Sequence, residues 1–219
     1  MITVHHLENS RSQRVLWLLE ELGEPYEVVR YERDPKTMLA PETLKAVHPL
    51  GKSPVITDDG DGARVTVAET GAIIEYLTQS AGGRLGAPMA DQPESPASRE
   101  ALRRYRFFLH YAEGSLMPPL LIKLVLGKIP LIGKQAQARI QPMIDVHLDY
   151  VESELASRAW FAGDEFSAAD VIMSFPLEAA AERAGLEETR PATAAWLERI
   201  HARPAYRAAL ASGGPYAYA

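Results

Sequence analysis

The residues of this sequence that can do chemistry are hydroxyls and charges in its first third. Ser10 sits in NSRSQRVLW, where an apolar helical run begins just after a short strand pattern. A serine there has two uses. Its oxygen can cap the helix by accepting a first-turn amide, or its hydroxyl can donate to an anion held against the helix's exposed amides and dipole. Arg11 either complements such an anion or is solvated, and Ser12 competes for the cap. Ser53-Pro54 opens a strand pattern. Proline is tolerated there in trans, whereas a cis bond would turn the Ser53 backbone toward a peptide ligand that pairs as an added strand. Lys52 taken alone reads as a surface lysine, and Glu69-Thr70 as a helix start with Thr70 as the cap.

Several other chemistries are excluded. The chain has 219 residues and no cysteine, which removes disulfides, cysteine-ligated metals, thiol nucleophiles and CxxC redox chemistry. GxSxG, GxxxxGK[ST] and HExxH are all missing, and Val65 stands where a GxGxxG element starting at Gly60 needs its third glycine. His5, His6, His48, His110, His147 and His201 lack metal-ligand spacing, and adjacent His5 and His6 on a strand point to opposite faces. No metal is therefore expected. With 23 basic and 29 acidic residues, a net charge of −6 argues against nucleic acid as the main partner. Arg99, Arg103, Arg104 and Arg106, with Glu100 interleaved, read as a solvated helix face or dimer surface. The stretch 116–133 is interrupted by lysines and prolines, so no apolar span approaches the roughly 20 residues of a membrane helix. The N-terminus carries no apolar run of signal-peptide length. The expectation is a cytoplasmic protein without a membrane partner.

The elements that must position these residues change character along the chain. Residues 2–5, 26–31, 54–57 and 64–67 read as strands, the last two joined as a hairpin through DDGDG. Val15, Leu18, Leu19 and Leu22 mark a first helix ended by Gly23, residues 41–47 a short helix, and residues 69–79 a helix with Ile73, Ile74 and Leu77 on one face. The expected fold is an α/β unit over residues 1–80, a Gly- and Pro-rich linker over 81–95, and an all-α domain over 96–219. Its helices are expected at 98–126, 135–155, 167–184, 192–203 and 205–211, with Pro118-Pro119 kinking or dividing the first and Pro176 disturbing the third. Ser167 and Asp170 form a capping-box pattern.

Four motifs in fixed order give these elements a family likeness: NSRSQRVLWLLEELGEPYEVV at 9–29, HPLGKSPVI at 48–56, AETGAIIEYL at 68–77 and FAGDEFSAADV at 161–171. Together they resemble the cytosolic glutathione transferases over the whole chain, and within them the serine-type members of bacteria and fungi. The resemblance implies a thioredoxin-like N-terminal domain that binds glutathione as co-substrate. It also implies an all-helical bundle that contributes the site for small hydrophobic electrophiles, and a homodimer. It assigns Ser10, with Arg11 beside it, to stabilising the glutathione thiolate, without any covalent serine intermediate. Lys52 falls near the glycyl carboxylate, Ser53 before a cis Pro54 binds the cysteinyl portion through its main chain, and Glu69 and Thr70 hold the γ-glutamyl end. Tyr111, spaced with Tyr105 and Phe108 as a core residue would be, falls where family helices line the electrophile pocket. Peroxide reduction is a related activity. A non-catalytic regulatory relative and a glutathione-dependent dehalogenase or isomerase are the alternatives; the first tends to lose the peptide-site residues retained here, and NSRS does not match the SSC-type motif of the isomerases. The absence of cysteine removes the branch of the family that forms mixed disulfides.

Overall fold

The computed structural model describes residues 1–60, 62–87 and 95–218. Asp61 of the hairpin turn and residues 88–94 of the expected linker lie outside the described residues. In chain order the elements are β1 (Ile2–Leu7), α1 (Gln13–Leu22), β2 (Tyr26–Tyr31), β3 (Val55–Asp58), β4 (Val65–Ala68) and α2 (Thr70–Ser80). Then follow α3 (Pro96–Tyr111), α4 (Met117–Gly127), α5 (Gly133–Ser157), α6 (Ala168–Ala184), α7 (Leu186–Thr189), α8 (Pro191–His201) and α9 (Pro204–Gly213). Contacts divide the chain into two compact units, Met1–Gly86 with His201–Ala219, and Ala87–Ile200. The sequence pattern counts α9 with the helical segment; in three dimensions it packs on α1.

The first unit is a thioredoxin-like layer structure around a mixed sheet of order β2-β1-β3-β4. β1 and β2 pair in parallel, Ile2 opposite Tyr26 through Leu7 opposite Tyr31, which requires the crossover that α1 supplies. β3 runs antiparallel to both β1 and β4. α1 ends on Gly23, whose φ of 66° gives the left-handed turn that closes the helix. Its residues from Gln13 to Leu19 are all buried because β1 and α2 lie against it and α9 covers it from elsewhere. A completely buried side chain such as Trp17 or Leu18 contributes about 2–3 kcal/mol. Trp17 meets Tyr206 of α9 edge to face at 5.2 Å, and Arg203 clamps Glu21 through two bonds of 2.5 and 2.7 Å.

Every regular element among the described residues of the second unit is a helix. Ser95 caps α3 by accepting the Ser98 amide at 3.0 Å. The helix expected over 98–126 is divided, but by a π-helical turn over Ala112–Leu116. Pro118 and Pro119 follow directly in the first turn of α4, where they donate no hydrogen bond to the turn before them. α6 continues through Pro176 without ending, and every residue from Ala168 to Ala180 is buried, so packing holds the helix across the local penalty. α7 has no counterpart in the sequence reading, since four residues cannot show a helical period. Asp170 anchors this unit. Its carboxylate accepts the amides of Phe161 and Ser167, both at 3.0 Å, and the Trp196 indole N–H at 3.3 Å. Burial raises its pKa to about 6 against the opposing effect of these donors. Arg104, expected on a solvated face, is instead buried, bonded to Glu154 and to the Phe161 carbonyl; Arg103 does lie exposed, paired with Glu100.

Candidate active site

The site grows from the turn between β1 and α1. After Leu7 the chain turns through Asn9, whose φ of 48° is left-handed, a conformation Asn tolerates better than most residues. This delivers Ser10 to the foot of α1. The helix starts at Gln13 behind Ser12, and Ser12 makes no side-chain capping bond. Ser10 is therefore not the cap, and neither serine oxygen is spent on the first-turn amides of the helix proper. The turn instead closes through main chain, Gln13 N–H to the Ser10 carbonyl at 3.2 Å and Val15 N–H to that of Ser12 at 3.0 Å.

The hydroxyls form their own cluster. Ser10 Oγ lies 2.7 Å from Ser12 Oγ, accepts the Ser12 amide at 3.2 Å, and stands 3.5 Å from Ser53 Oγ. Ser12 Oγ is 2.9 Å from His6 Nδ1 and 3.3 Å from the Leu7 carbonyl. Ser53 Oγ donates to the His5 carbonyl at 3.2 Å, and the Ser53-Pro54 bond is cis. Ser10 is 6% exposed and Ser12 fully buried, so this is a polar seam at the edge of the core, with Ser10 at its outer end. Burial, reinforced by the positive charge of Arg30, lowers the pKa of His6 to about 4, leaving its imidazole neutral at ordinary pH. The two histidines do face opposite ways: His5 meets the Tyr31 hydroxyl at 3.0 Å, while His6 points to Ser12.

The foot of α2 is the second anchor. Glu69 is exposed and sits at φ 73°, ψ 126°, a conformation costing a non-glycine residue about 1–3 kcal/mol; such strain gathers at functional positions. Glu69 rather than Thr70 occupies the cap position. Thr70 is the first helical residue, and its hydroxyl accepts a hydrogen bond from buried Arg14 Nη2 of α1 at 3.2 Å. The two helix feet are thus tied by a guanidinium beneath them. Lys52 is exposed and Arg11 half-buried.

Tyr111 belongs to the second unit. Its ring stacks on Phe107 at 5.1 Å and its hydroxyl meets His147 Nδ1 at 2.7 Å; burial raises the pKa of the phenol. With Arg106, Phe107, His110, Gly114 and Ser115 it lines an open depression of about 460 Å³. Among the described residues no group of His, Cys, Asp or Glu could hold a metal ion, and no helix is long and apolar enough to cross a membrane.

The sequence reading did not give His6 or Arg14 a part in the site. The alternation of β1 already sends His6 to the face opposite His5, but nothing in spacing says that Ser12 waits there. Arg14 looks like any helical arginine until the fold closes over it.

The fold and this seam define a class, a thioredoxin-like unit followed by a helical one. Family comparison gives the same division, with residues 10–80 matching the glutathione S-transferase N-terminal domain and residues 116–204 the C-terminal domain. Glutathione S-transferase 1 of Saccharomyces cerevisiae is 35% identical, covering 95% of this chain and 93% of the relative. Glutathione S-transferase 3 of Schizosaccharomyces pombe is 34% identical over 95% of this chain and 86% of its own length. The crystal structure of a glutathione S-transferase from Actinobacillus pleuropneumoniae superimposes with a TM-score of 0.83 at 32% identity, covering 100% of this chain and 95% of the other. The chain belongs to the glutathione S-transferase family and is an enzyme of the glutathione transferase class.

Proposed function

We propose that this protein is a serine-type glutathione transferase in which Ser10 holds the glutathione thiolate for attack on small hydrophobic electrophiles. The observation that carries the reading is the cluster of Ser10, Ser12 and Ser53 at the foot of α1, with Ser53 preceding a cis proline. A free thiol has a pKa of about 8.5 and is mostly protonated at neutral pH. A hydroxyl hydrogen bond and the positive end of α1 favour the charged form and lower that pKa. The thiolate then forms a carbon–sulfur bond to the electrophile while the leaving group departs with its electron pair. Ser10 stays uncharged and unmodified throughout.

The remaining assignments follow the same logic. Lys52, exposed beside Ser53, pairs with the glycyl carboxylate. The Ser53 main chain, turned by the cis bond to Pro54, pairs with the cysteinyl portion. Glu69 and Thr70, at the N-terminus of α2, take the γ-glutamyl end, and Arg14 fixes Thr70 from below. Arg11 adds positive charge beside the sulfur. The aromatic depression at Tyr111 suits an apolar electrophile, with peroxide reduction as a related activity. The first 80 residues, with α9 packed on α1, form the glutathione-binding domain, and the helical segment that begins at residue 96 contributes the electrophile site. The working form is a cytoplasmic homodimer.

Titration of the thiolate absorbance of bound glutathione tests the reading. Ser10→Ala should raise the pKa of the bound thiol by about one to two units, the value of one hydrogen bond to a charged group. An unchanged titration, or no retention of the wild type on immobilised glutathione, overturns it.

A further inference from the structure

We infer that the tip of the hairpin formed by α4 and α5 docks on an anionic lipid surface, its apolar side chains entering the interface and its lysines meeting lipid phosphates.

The first observation is a helix whose burial does not match its composition. α4 reads MPPLLIKLVLG, apolar on every side but for Lys123. A helix of that kind belongs in a core or in lipid. Yet α4 is covered only at its start, where Met117, Pro119 and Leu120 are buried. From Leu121 to Ile132 no residue is buried. Leu121, Ile122, Val125, Ile129, Leu131 and Ile132 are all exposed. Single exposed apolar residues are ordinary, whereas a run of them in one place marks an interaction surface.

The tip is also held in shape. The Ile129 N–H donates to the Leu126 carbonyl at 3.0 Å, and the Gly133 N–H to the Ile129 carbonyl at 3.2 Å. α5 starts at Gly133, where a Cβ would collide with the Leu126 carbonyl, so glycine lets the two helices close this tightly. Between them Leu131 sits at φ 68°, a backbone conformation unfavourable for leucine, and is fully exposed. Packing within the chain does not account for a strained leucine held in solvent.

Charge selects the occupant. The chain carries a net charge of −6, but from Gly114 to Ile144 it has no Asp or Glu and contains Lys123, Lys128, Lys134 and Arg139. Lys123 and Lys128 line a depression of about 320 Å³ together with Arg183 of α6, which also lies 4.0 Å from Glu182. A second copy docked symmetrically on this tip would set the lysines against their own counterparts, and like charges across an interface are unfavourable. An anionic lipid surface supplies phosphates for the basic groups and hydrocarbon for the apolar ones. Docking of this kind needs no spanning segment. The expectation of no membrane partner was drawn from the lack of such a segment, and no helix among the described residues is long and apolar enough to cross a membrane.

Flotation of the full chain with lipid vesicles tests the inference. Binding to phosphatidylcholine vesicles containing about a third phosphatidylglycerol should be at least about tenfold tighter than to phosphatidylcholine alone, and should weaken as salt is raised. Two paired variants separate the contributions. Leu131→Asn with Ile132→Asn removes apolar side chains at unchanged charge. Asparagine tolerates the left-handed turn and is favoured at the cap position of α5 that Ile132 holds. Lys128→Gln with Lys134→Gln removes charge alone. Each pair should weaken binding to the anionic vesicles about tenfold. Equal binding to both vesicle types, or a pair that binds like the wild type, overturns the inference. So does an absence of lipid binding, which would leave the surface to an acidic protein partner. Hydrogen exchange of the wild type gives a reading that does not depend on the variants folding. Residues 121–134 should exchange more slowly on the anionic vesicles, and protection confined to other segments overturns the inference. Sedimentation velocity without lipid should show the asparagine pair at the size of the wild type; a smaller species would mean that the tip joins copies of the chain, and would overturn it too.

Discussion

Among single residues, His6 couples the site to the stability of the first unit. Its folded pKa of about 4 lies below the ordinary 6.5 because burial, helped by Arg30, disfavours the imidazolium. The unfolded chain therefore binds the proton more readily, and stability should rise with pH across this window and be lost as pH falls from 6.5 toward 4. Urea unfolding at pH 7.5 and pH 4.5 should show the wild type losing about 2 kcal/mol more than His6→Gln over that interval. Equal losses in the two proteins would mean that His6 titrates normally. Spacing marks Ser10 and Glu69-Thr70 as feet of helices and Ser53-Pro54 as the start of a strand, because those positions carry their own local signals, whereas their proposed parts in binding glutathione, and that of Lys52, come from the family resemblance. His6 and Arg14 carry no such signal, since their parts depend on what the folded chain brings against them.

At the scale of elements, one small residue, Gly213, allows α9 to lie close against α1. A methyl group on Gly213 would stand 2.6 Å from Gln13 Oε1, 3.0 Å from Leu16 Cδ1 and 3.3 Å from His6 Cε1. Gln13, Leu16 and His6 are all buried, so little of this crowding can be relieved into solvent. Gly213→Ala should cost about 1–3 kcal/mol although alanine is the better helix former; a melting temperature at or above wild type would contradict the packing. Element types were largely legible in the sequence, because hydrophobic period and terminal glycine or serine are local signals. Boundaries were less so. The π-helical turn at Ala112–Leu116 leaves no pattern distinct from a helix, and Pro118-Pro119 mark the start of α4 where a kink was expected. Pro176 stays inside a continuous helix, which only its buried surroundings explain.

At the scale of the molecule, each unit closes on long-range contacts. In the second unit Asp170 gathers the Phe161 amide, the Ser167 amide and the Trp196 indole around one buried carboxylate. Asp170→Ala would leave three donors without an acceptor, at about 1–3 kcal/mol each before relaxation. A loss of about 4 kcal/mol or more in denaturant unfolding is expected, with Asp170→Asn falling between the two because it keeps one carbonyl acceptor. A change below 1 kcal/mol would show that these bonds contribute little net stability. In the first unit the closing contacts come from the far end of the chain: Trp17 against Tyr206, Glu21 against Arg203, and His6 close to Gly213. The sequence pattern counts that last helix with its helical neighbours, since a local period identifies a helix and says nothing of which core receives it.

By itself, the sequence determined the alternation of strands and helices, the helical character of the second segment, and the exclusion of cysteine chemistry. It also marked the serine at the foot of the first helix. These are properties of composition, spacing and local capping, which act between residues close in the chain. Only the tertiary structure decided that Ser10 is not a cap, that His6 lies behind Ser12, and that Arg14 supports Thr70. It also decided that the C-terminal helix closes over α1. The physical reason is that hydrogen bonds and burial in a core depend on distance in space, and β1, α1, α2 and α9 meet only when the chain has folded.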